Sequence, residues 1–397
     1  MTTSRIFLYS CLVFGTGVAS ANLLADDWRI FGGAIILIGL IILLFPKDKK
    51  IYLAGGLASL FLLTIIYTHW LDGRSLISND WLRPIGHWLG LVKLKLEGLS
   101  GQLLPEPYAG LLNGLLLGTK GGLPPDVKEA FKITGLMHIV AVSGYNVTIV
   151  AAMLQSLLRP LPYRVAIWGS LGAILAFVML TGAPASVIRA GIMGALVIVA
   201  KSIGRRALAL NALVAAAGLM ILIKPTILLD DIGFQLSVAA TLGLIMLSPT
   251  LQKRFQKISW HKWLPSSLWE ALEATLGAQA LTIPIILYYF GRLSIISPLA
   301  NVLVVPLVPW AMAAGFIGLV VGFLWQPLGG IVIWLGWGFL LLIIKLASHL
   351  ADIPLASINL PKAALWLLIP YYLLLIWWVK HQKQSLREAK IVRATNN

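Results

Sequence analysis

Apolar stretches of about 18 to 23 residues recur almost from end to end, each long enough to cross a hydrocarbon core about 30 Å thick. In lipid every backbone polar group has to be satisfied internally, which leaves a helical bundle or a closed β-barrel. Barrels alternate polar and apolar residues in strands of about ten, and this sequence has no such alternation. With 59% hydrophobic and 12% charged residues among 397, a water-soluble globule of ordinary composition is excluded. The expected fold class is all-α: a polytopic transmembrane helical bundle of about 12 spans, with broken or re-entrant helices and an outer amphipathic segment. A lone cysteine, Cys11 in the first apolar run, excludes an internal disulfide and reads as a packing residue.

The candidate spans are 6–23, 29–45, 51–68, 136–158, 164–181, 185–202, 207–223, 232–248, 269–290, 299–324, 328–350 and 363–379. A net charge of +16 invites a nucleic-acid reading, yet cytoplasmic loops carry excess lysine and arginine for insertion reasons alone. With the amino terminus inside, the cytoplasmic segments hold Lys47, Lys49, Lys50, Arg159, Arg164, Lys201, Arg205, Arg206, Lys253, Arg254 and the basic tail after Lys380, whereas Asp26, Asp27, Asp230, Asp231 and Asp352 fall outside. Both termini are therefore expected in the cytoplasm. Ala19-Ser20-Ala21 after the first span imitates a signal-peptide cleavage site, and its use would not change the remaining topology.

The chain divides into an N-terminal three-helix membrane segment (1–68), an outer amphipathic or interfacial segment (69–135), a transmembrane core (136–379) and a basic cytoplasmic tail (380–397). Seven basic and six acidic residues leave 69–135 almost neutral. Within it, Trp81, Trp88, Leu89, Leu91, Leu94 and Leu96 interleave with Arg83, His87, Lys93, Lys95 and Glu97, the pattern of a helix lying on a bilayer surface. Tyr108–Leu117 is apolar but too short to cross, and reads as re-entrant if other helices shield its ends. Pro124, Pro125 and Asp126 predict a helix start and Gly135 a stop.

Gly114-Leu-Leu-Leu-Gly118-Thr119-Lys120 lacks the phosphate-loop spacing and a preceding strand, so no nucleotide site is read there. The six histidines have no ligand spacing, so neither metal nor cofactor is expected. Polar groups inside spans are more informative, because burying them costs free energy unless they find partners. Ser143 and Asn146 share a helix face beside Gly144, with His138 one turn or more before them. Arg189 sits about a turn into the sixth span and is expected either to find a partner or to reach up to the surface. Gln235 and Ser237, Asn211, Glu273 and the stripe Thr275, Gln279, Thr282 supply more polar surface, and Lys345 and His349 form another polar face. Pro184, Pro284, Pro298, Pro306 and Pro309 interrupt backbone hydrogen bonding at or near membrane depth. Such polar, broken spans favour a conduit or solute site over a plain scaffold.

Leu115-Leu-Leu-Gly118, Phe131 to Gly144, Ser186-Val-Ile-Arg189-Ala190, Asp231-Ile-Gly233-Phe234-Gln235-Leu236-Ser237, and Ser297-Pro298-Leu-Ala-Asn301 with Pro306 occur in the order found in the membrane competence domain of ComEC-type DNA-uptake proteins, which the chain resembles over 108–310. The resemblance implies an inner-membrane channel of the bacterial plasma membrane, for single-stranded DNA in natural transformation. It places His138, Ser143, Gly144, Asn146, Arg189, Gln235, Ser237, Glu273, Gln279 and Asn301 along the DNA pathway or in a structural polar core. It implies as partners a DNA receptor and pilus proteins outside, a cytosolic helicase or translocase, a separate nuclease, and membrane lipids. Family members commonly carry histidine where this chain has Asn146. Many carry an outer OB-fold, for which 69–107 is too short, and a terminal nuclease domain, whose activity is not assigned to this chain.

Two other readings stand beside it. One is a transporter or channel for another anionic or polar solute. The other is an intramembrane serine hydrolase built on Ala141-Val142-Ser143-Gly144, which needs a base within hydrogen-bond reach of the hydroxyl; the expectation is that the chain is not an enzyme.

Overall fold

The computed structural model describes residues 83–119, 121–204, 208–256 and 265–360, with isolated positions 13, 16, 58, 63, 64, 67, 68, 370, 371 and 374. The expected spans 6–23 and 29–45, most of 51–68 and 363–379, Cys11, the Ala19-Ser20-Ala21 site and the basic tail lie outside the described residues. Among those residues the fold is almost wholly helical, as the hydropathy pattern requires. Five helices are long and apolar enough to cross a membrane, or six if one bent pair forms a single span. The fifth, sixth, ninth, tenth and eleventh expected spans supply the five. The eighth is the pair bent by 42°, and the fourth and seventh yield helices of only 15 residues.

The chain folds as two compact units. The first takes 154–179 and 183–238 from the described core. Its helices are α6 (Tyr163–Leu180, up to Met179), α7 (Ala185–Ser202), α8 (Ala209–Ile223), the single turn α9 (Ile227–Asp230) and the start of α10 (Ile232–Met246). Ala185, Met220, Ile221 and Phe234 form its core, with Ile188, Ile192, Ala217 and Val238 packed around them.

The second unit takes 90–153, 180–182 and the chain from 239 onward. It contains most of α1 (Arg83–Leu103), then α2 (Tyr108–Leu117), α3 (Pro125–Ile133), α4 (Met137–Val140) and the start of α5 (Gly144–Leu158). After α10 come α11 (Ser248–Phe255), α12 (Ser266–Phe290), α13 (Ser297–Val304), a 3₁₀ turn (Val305–Leu307), α14 (Val308–Leu324) and α15 (Gln326–Ala351). Strands β1 (Arg292–Ser294) and β2 (Ser357–Asn359) pair antiparallel with Leu293 opposite Ile358.

Helix α2 is the hub of this unit. Every residue after Tyr108 is buried, and the helix packs against α4, α14 and α15. Its ten residues cannot cross a bilayer, and every one after Tyr108 is covered by protein. α1 instead leaves Trp88 62% and Leu94 63% exposed, as an interfacial helix would. The predicted start at Pro125 and stop at Gly135 both appear. Gly135 adopts φ +71, and the bonds Leu136 N–H to Phe131 O (2.8 Å) and Gly135 N–H to Lys132 O (3.2 Å) close a Schellman cap.

The fourth span is not one helix. It breaks at Ala141, where the backbone turns extended, and restarts at Gly144. Of the interrupting prolines, Pro298 and Pro309 stand in first turns, where the missing N–H costs nothing, and only Pro284 lies inside a helix.

The hairpin of α14 and α15 is packed so closely that a Cβ on Gly329 would lie 2.2 Å from the Gly322 Cα. Gly338, on the same helix, faces open space. Gly329→Leu is expected to destabilise the protein by about 1–3 kcal/mol in thermal or denaturant unfolding, with Gly338→Leu near neutral.

At the surface, Glu129 of α3 accepts from Arg292 of β1 at 2.5 Å, and Lys132 lies 3.3 Å from the same carboxylate. The Arg292 hydrogen bond holds the Glu129 carboxyl below its ordinary value of 4.5. The folded state thus gains from this carboxylate above that ordinary value and loses the gain as pH falls through the depressed one. Both partners are well exposed, so the effect is small. The Tm difference between wild type and Glu129→Gln is expected to be present near neutrality and to vanish in acid.

Candidate functional site

The break between α4 and α5 lies against the C-terminal end of α2. Gly118 ends α2 at φ +72, and a Cβ there would sit 3.0 Å from the Thr181 carbonyl and 3.2 Å from Val142 Cγ2. The extended residues can therefore approach only because the helix presents glycine at that point. Ala141 and Tyr145 are exposed, Ser143 and Gly144 half-buried, and Val142 and Asn146 buried, so one side of the break is sealed on α2 and the other is open.

Asn146, 1% exposed, holds this junction. Its Nδ2 donates to the Leu115 carbonyl at 3.1 Å, and its Oδ1 accepts from Ser143 Oγ at 3.2 Å. The last carbonyls of a helix lack intrahelical donors, so the amide satisfies one end of α2 while fixing the first turn of α5. His138 Nδ1 lies 2.9 Å from the Gly135 carbonyl. Ser143 thus bonds to an amide and His138 to the backbone, so these two do not form a nucleophile–base pair.

Gln279 and Asn301 meet on Ser297, which the sequence places within a family block without marking it as a site residue. Gln279 Nε2 donates to Ser297 Oγ at 2.7 Å, and Asn301 Nδ2 donates to Ser297 Oγ at 3.0 Å and to the Ser297 carbonyl at 2.9 Å. Ser297 precedes Pro298 at a helix start, the local signal that could have flagged it. Asn113 was also missed, although it is the only strongly polar side chain in α2; its Oδ1 accepts from Ser100 Oγ at 2.7 Å. Nearby, Thr119 donates to Glu97, so α1 is tied to both ends of this turn.

Other expected groups close locally. The hydroxyls of Thr275 and Thr282 return to Ala271 and Ala278 of their own helix, as helical threonines do. The polar stripe on α12 therefore reduces to Gln279. Glu273 is buried, and its carbonyl accepts from Ser248 Oγ at 3.1 Å. Lys345 and His349 share an exposed face of α15.

In the first unit Arg189 is only 5% exposed. It does not reach up to the surface, and its Nη1 approaches Met193 Sδ at 3.9 Å. Gln235 donates to the Leu228 and Leu229 carbonyls, each at 3.0 Å, and Asp231 Oδ1 accepts from the Phe234 N–H at 2.8 Å. Gln235 therefore staples α10 to α9 through carbonyls left unsatisfied at the end of that turn. Ser237 lies half-buried in α10. The ten expected residues thus divide: Arg189, Gln235 and Ser237 belong to the first unit, and the other seven to the second. Among the described residues no group of three His, Cys, Asp or Glu side chains could hold a metal ion.

Asn146→Leu leaves the Leu115 carbonyl buried without its donor and is expected to cost about 1–3 kcal/mol in unfolding measurements. Asn146→Asp sets a carboxylate against that carbonyl and is expected to cost more, and Ser143→Ala less than either.

Comparison with known proteins gives a consistent result. A family described as Competence protein matches residues 115–384. ComE operon protein 3 of Bacillus subtilis (strain 168) is 30% identical over 222 residues, 54% of this chain and 27% of that protein. Uncharacterized protein YcaI of Escherichia coli (strain K12) is 25% identical over 304 residues, 71% of this chain and 38% of that protein. The chain thus spans well under half the length of these relatives. No solved structure matches. The matched region contains the broken fourth span, Arg189, the Gln279–Ser297–Asn301 cluster and the close-packed α14–α15 hairpin: this chain is a member of the competence protein family.

Proposed function

We propose that this chain builds a passage for single-stranded DNA across the bacterial plasma membrane during natural transformation, with both termini in the cytoplasm. The family match supports the process. The observation that carries the conduit itself is the break at Ala141–Ser143, sealed against α2 on one side and open on the other. Irregular backbone at membrane depth is tolerated only where protein covers it or water lines it, so the open side of the break is read as facing a wet path. A polyanion in such a path needs local positive charge and hydrogen-bonding surface. Among the described residues Arg189 is a buried cation, and Asn146 holds the break in place.

On this reading a DNA receptor and pilus proteins present the strand outside, a cytosolic helicase or translocase pulls it, and a separate nuclease degrades the other strand. The experiment follows labelled DNA in a deletion strain complemented with wild type, Arg189→Ala or Asn146→Leu. Deletion is expected to leave surface-bound DNA intact while abolishing protected cytoplasmic single strand. Arg189→Ala is expected to lower internalisation about tenfold, the equivalent of ~1.4 kcal/mol, at wild-type protein levels. Normal internalisation without the protein would overturn the proposal.

A further inference from the structure

The surface that α5 turns outward is unlike that of the long apolar helices in the same unit. On α14 and α15 the exposed positions carry large apolar side chains, among them Val320, Phe323, Ile331 and Leu335, which suit contact with lipid chains. In the part of α5 that belongs to the second unit, the exposed positions are Tyr145, Thr148 and Ala152. Their spacing of three and four sets them on one helix face. The large aliphatic residues of the same stretch, Val147, Ile149 and Val150, are buried. The partition of α14 and α15 is thus inverted here: branched aliphatic side chains turn into the protein, and two hydroxyl-bearing residues and an alanine turn out. Polar groups at membrane depth face protein or water, and this face is not covered by protein.

Tyr145 is the largest side chain on that face and is 45% exposed. The backbone beneath it is pinned at several points. Asn146 Nδ2 donates to the Leu115 carbonyl at 3.1 Å, and Ser143 Oγ donates to Asn146 Oδ1 at 3.2 Å. The Val147 N–H donates to the Ser143 carbonyl at 3.3 Å, and Thr148 Oγ1 to the Gly144 carbonyl at 2.9 Å. The ring therefore projects from a fixed turn. It also stands inside the fourth expected span, just after the break, and not at a span end where interfacial tyrosines gather.

The charge pattern narrows what such a ring can meet. The sequence has no Asp or Glu between Glu129 and Asp230, so α5 offers a polyanion no like charge; the helix has no Lys or Arg either, which leaves its face nothing with which to bind phosphate as an ion pair. An exposed aromatic ring on an uncharged, hydrated face suits the flat surface of a nucleobase. Stacking of this kind is tolerant of sequence because every base has a π-face.

We propose that Tyr145 is a base-contacting residue of the passage, on whose exposed ring the nucleobases of the passing single strand stack in turn. The inference rests on the DNA reading and names what the open side of the break touches.

The experiment uses the complemented deletion strain, with Tyr145→Phe and Tyr145→Leu brought to wild-type protein levels. The donor DNA carries iodouracil in place of thymine, which on illumination cross-links to an aromatic ring stacked against it. Tyr145→Phe keeps the ring, and is expected to internalise DNA at the wild-type rate and to retain a cross-link within the peptide that contains this position. Tyr145→Leu keeps apolar bulk without a π-face, and is expected to lower internalisation about fivefold and to lose the cross-link. Internalisation by Tyr145→Leu at the wild-type rate, or a wild-type peptide without a cross-link, would overturn the role of Tyr145 and leave the DNA reading standing; a tyrosine that only anchors its helix at a lipid interface gives that result. Normal internalisation in the deletion strain would instead remove the DNA reading, and this role with it.

Discussion

A hydrogen bond from the Asn146 amide to the Leu115 carbonyl closes the end of a helix that has no solvent to turn to. Helix α2 is too short to cross a membrane and too apolar to leave one, so its terminal carbonyls must be satisfied by neighbouring protein. The same constraint governs the segment that provides the bond. Residues 141–143 leave the helical path, and α2 covers Val142 among them because glycine stands at the point of contact. Each of the two irregularities solves the problem the other creates. Neither would be stable in hydrocarbon alone.

Packing around this junction follows from the absence of a hydrophobic driving force between helices in lipid. Close approach and shape have to supply the association energy instead. In the α14–α15 hairpin, glycines on facing surfaces let backbone touch backbone, and α2 inserts Leu112 against Gly315 of α14. The large exposed side chains of these helices, such as Trp310, Phe323 and Leu335, point the other way. In a soluble protein that distribution would be a liability; in a membrane it separates a tightly fitted interior from a lipid-facing exterior.

Much of this architecture was legible in the sequence, because helix signals and hydropathy act locally. Pro125 and Gly135 bound their helix where those residues must, and the short apolar run at 108–117 was recognisable by length alone. The break at Ala141 was harder to see: apolar residues 136–158 run on without a proline or a charge, and what interrupts the helix is the competing contact with α2, a tertiary effect. The roles of Ser297 and Asn113 were hidden for the same reason. A serine or a lone asparagine in an apolar run has no meaning until a partner from elsewhere in the chain arrives. Arg189 stands out in the sequence because burying a guanidinium is costly in any context, whereas whether it would be buried or reach the surface depended on packing that hydropathy does not encode.

The polar groups that did and did not serve as expected differ in a consistent physical way. A threonine hydroxyl on a helix can satisfy itself on the carbonyl four residues back, as Thr148, Thr275 and Thr282 do, so its presence inside a span carries little information. An amide side chain has a donor end and an acceptor end separated by a rigid plane and cannot bend both onto its own helix so readily. Asn146 and Gln279 therefore reach across to other elements, and Gln235 reaches back to the preceding turn. Amides that tie separate elements together also fix which surfaces can part and which cannot. On α12 one stripe carries both kinds, Thr275 and Thr282 closed on their own helix and Gln279 tied to Ser297, so a single amide decides what this face is fixed to.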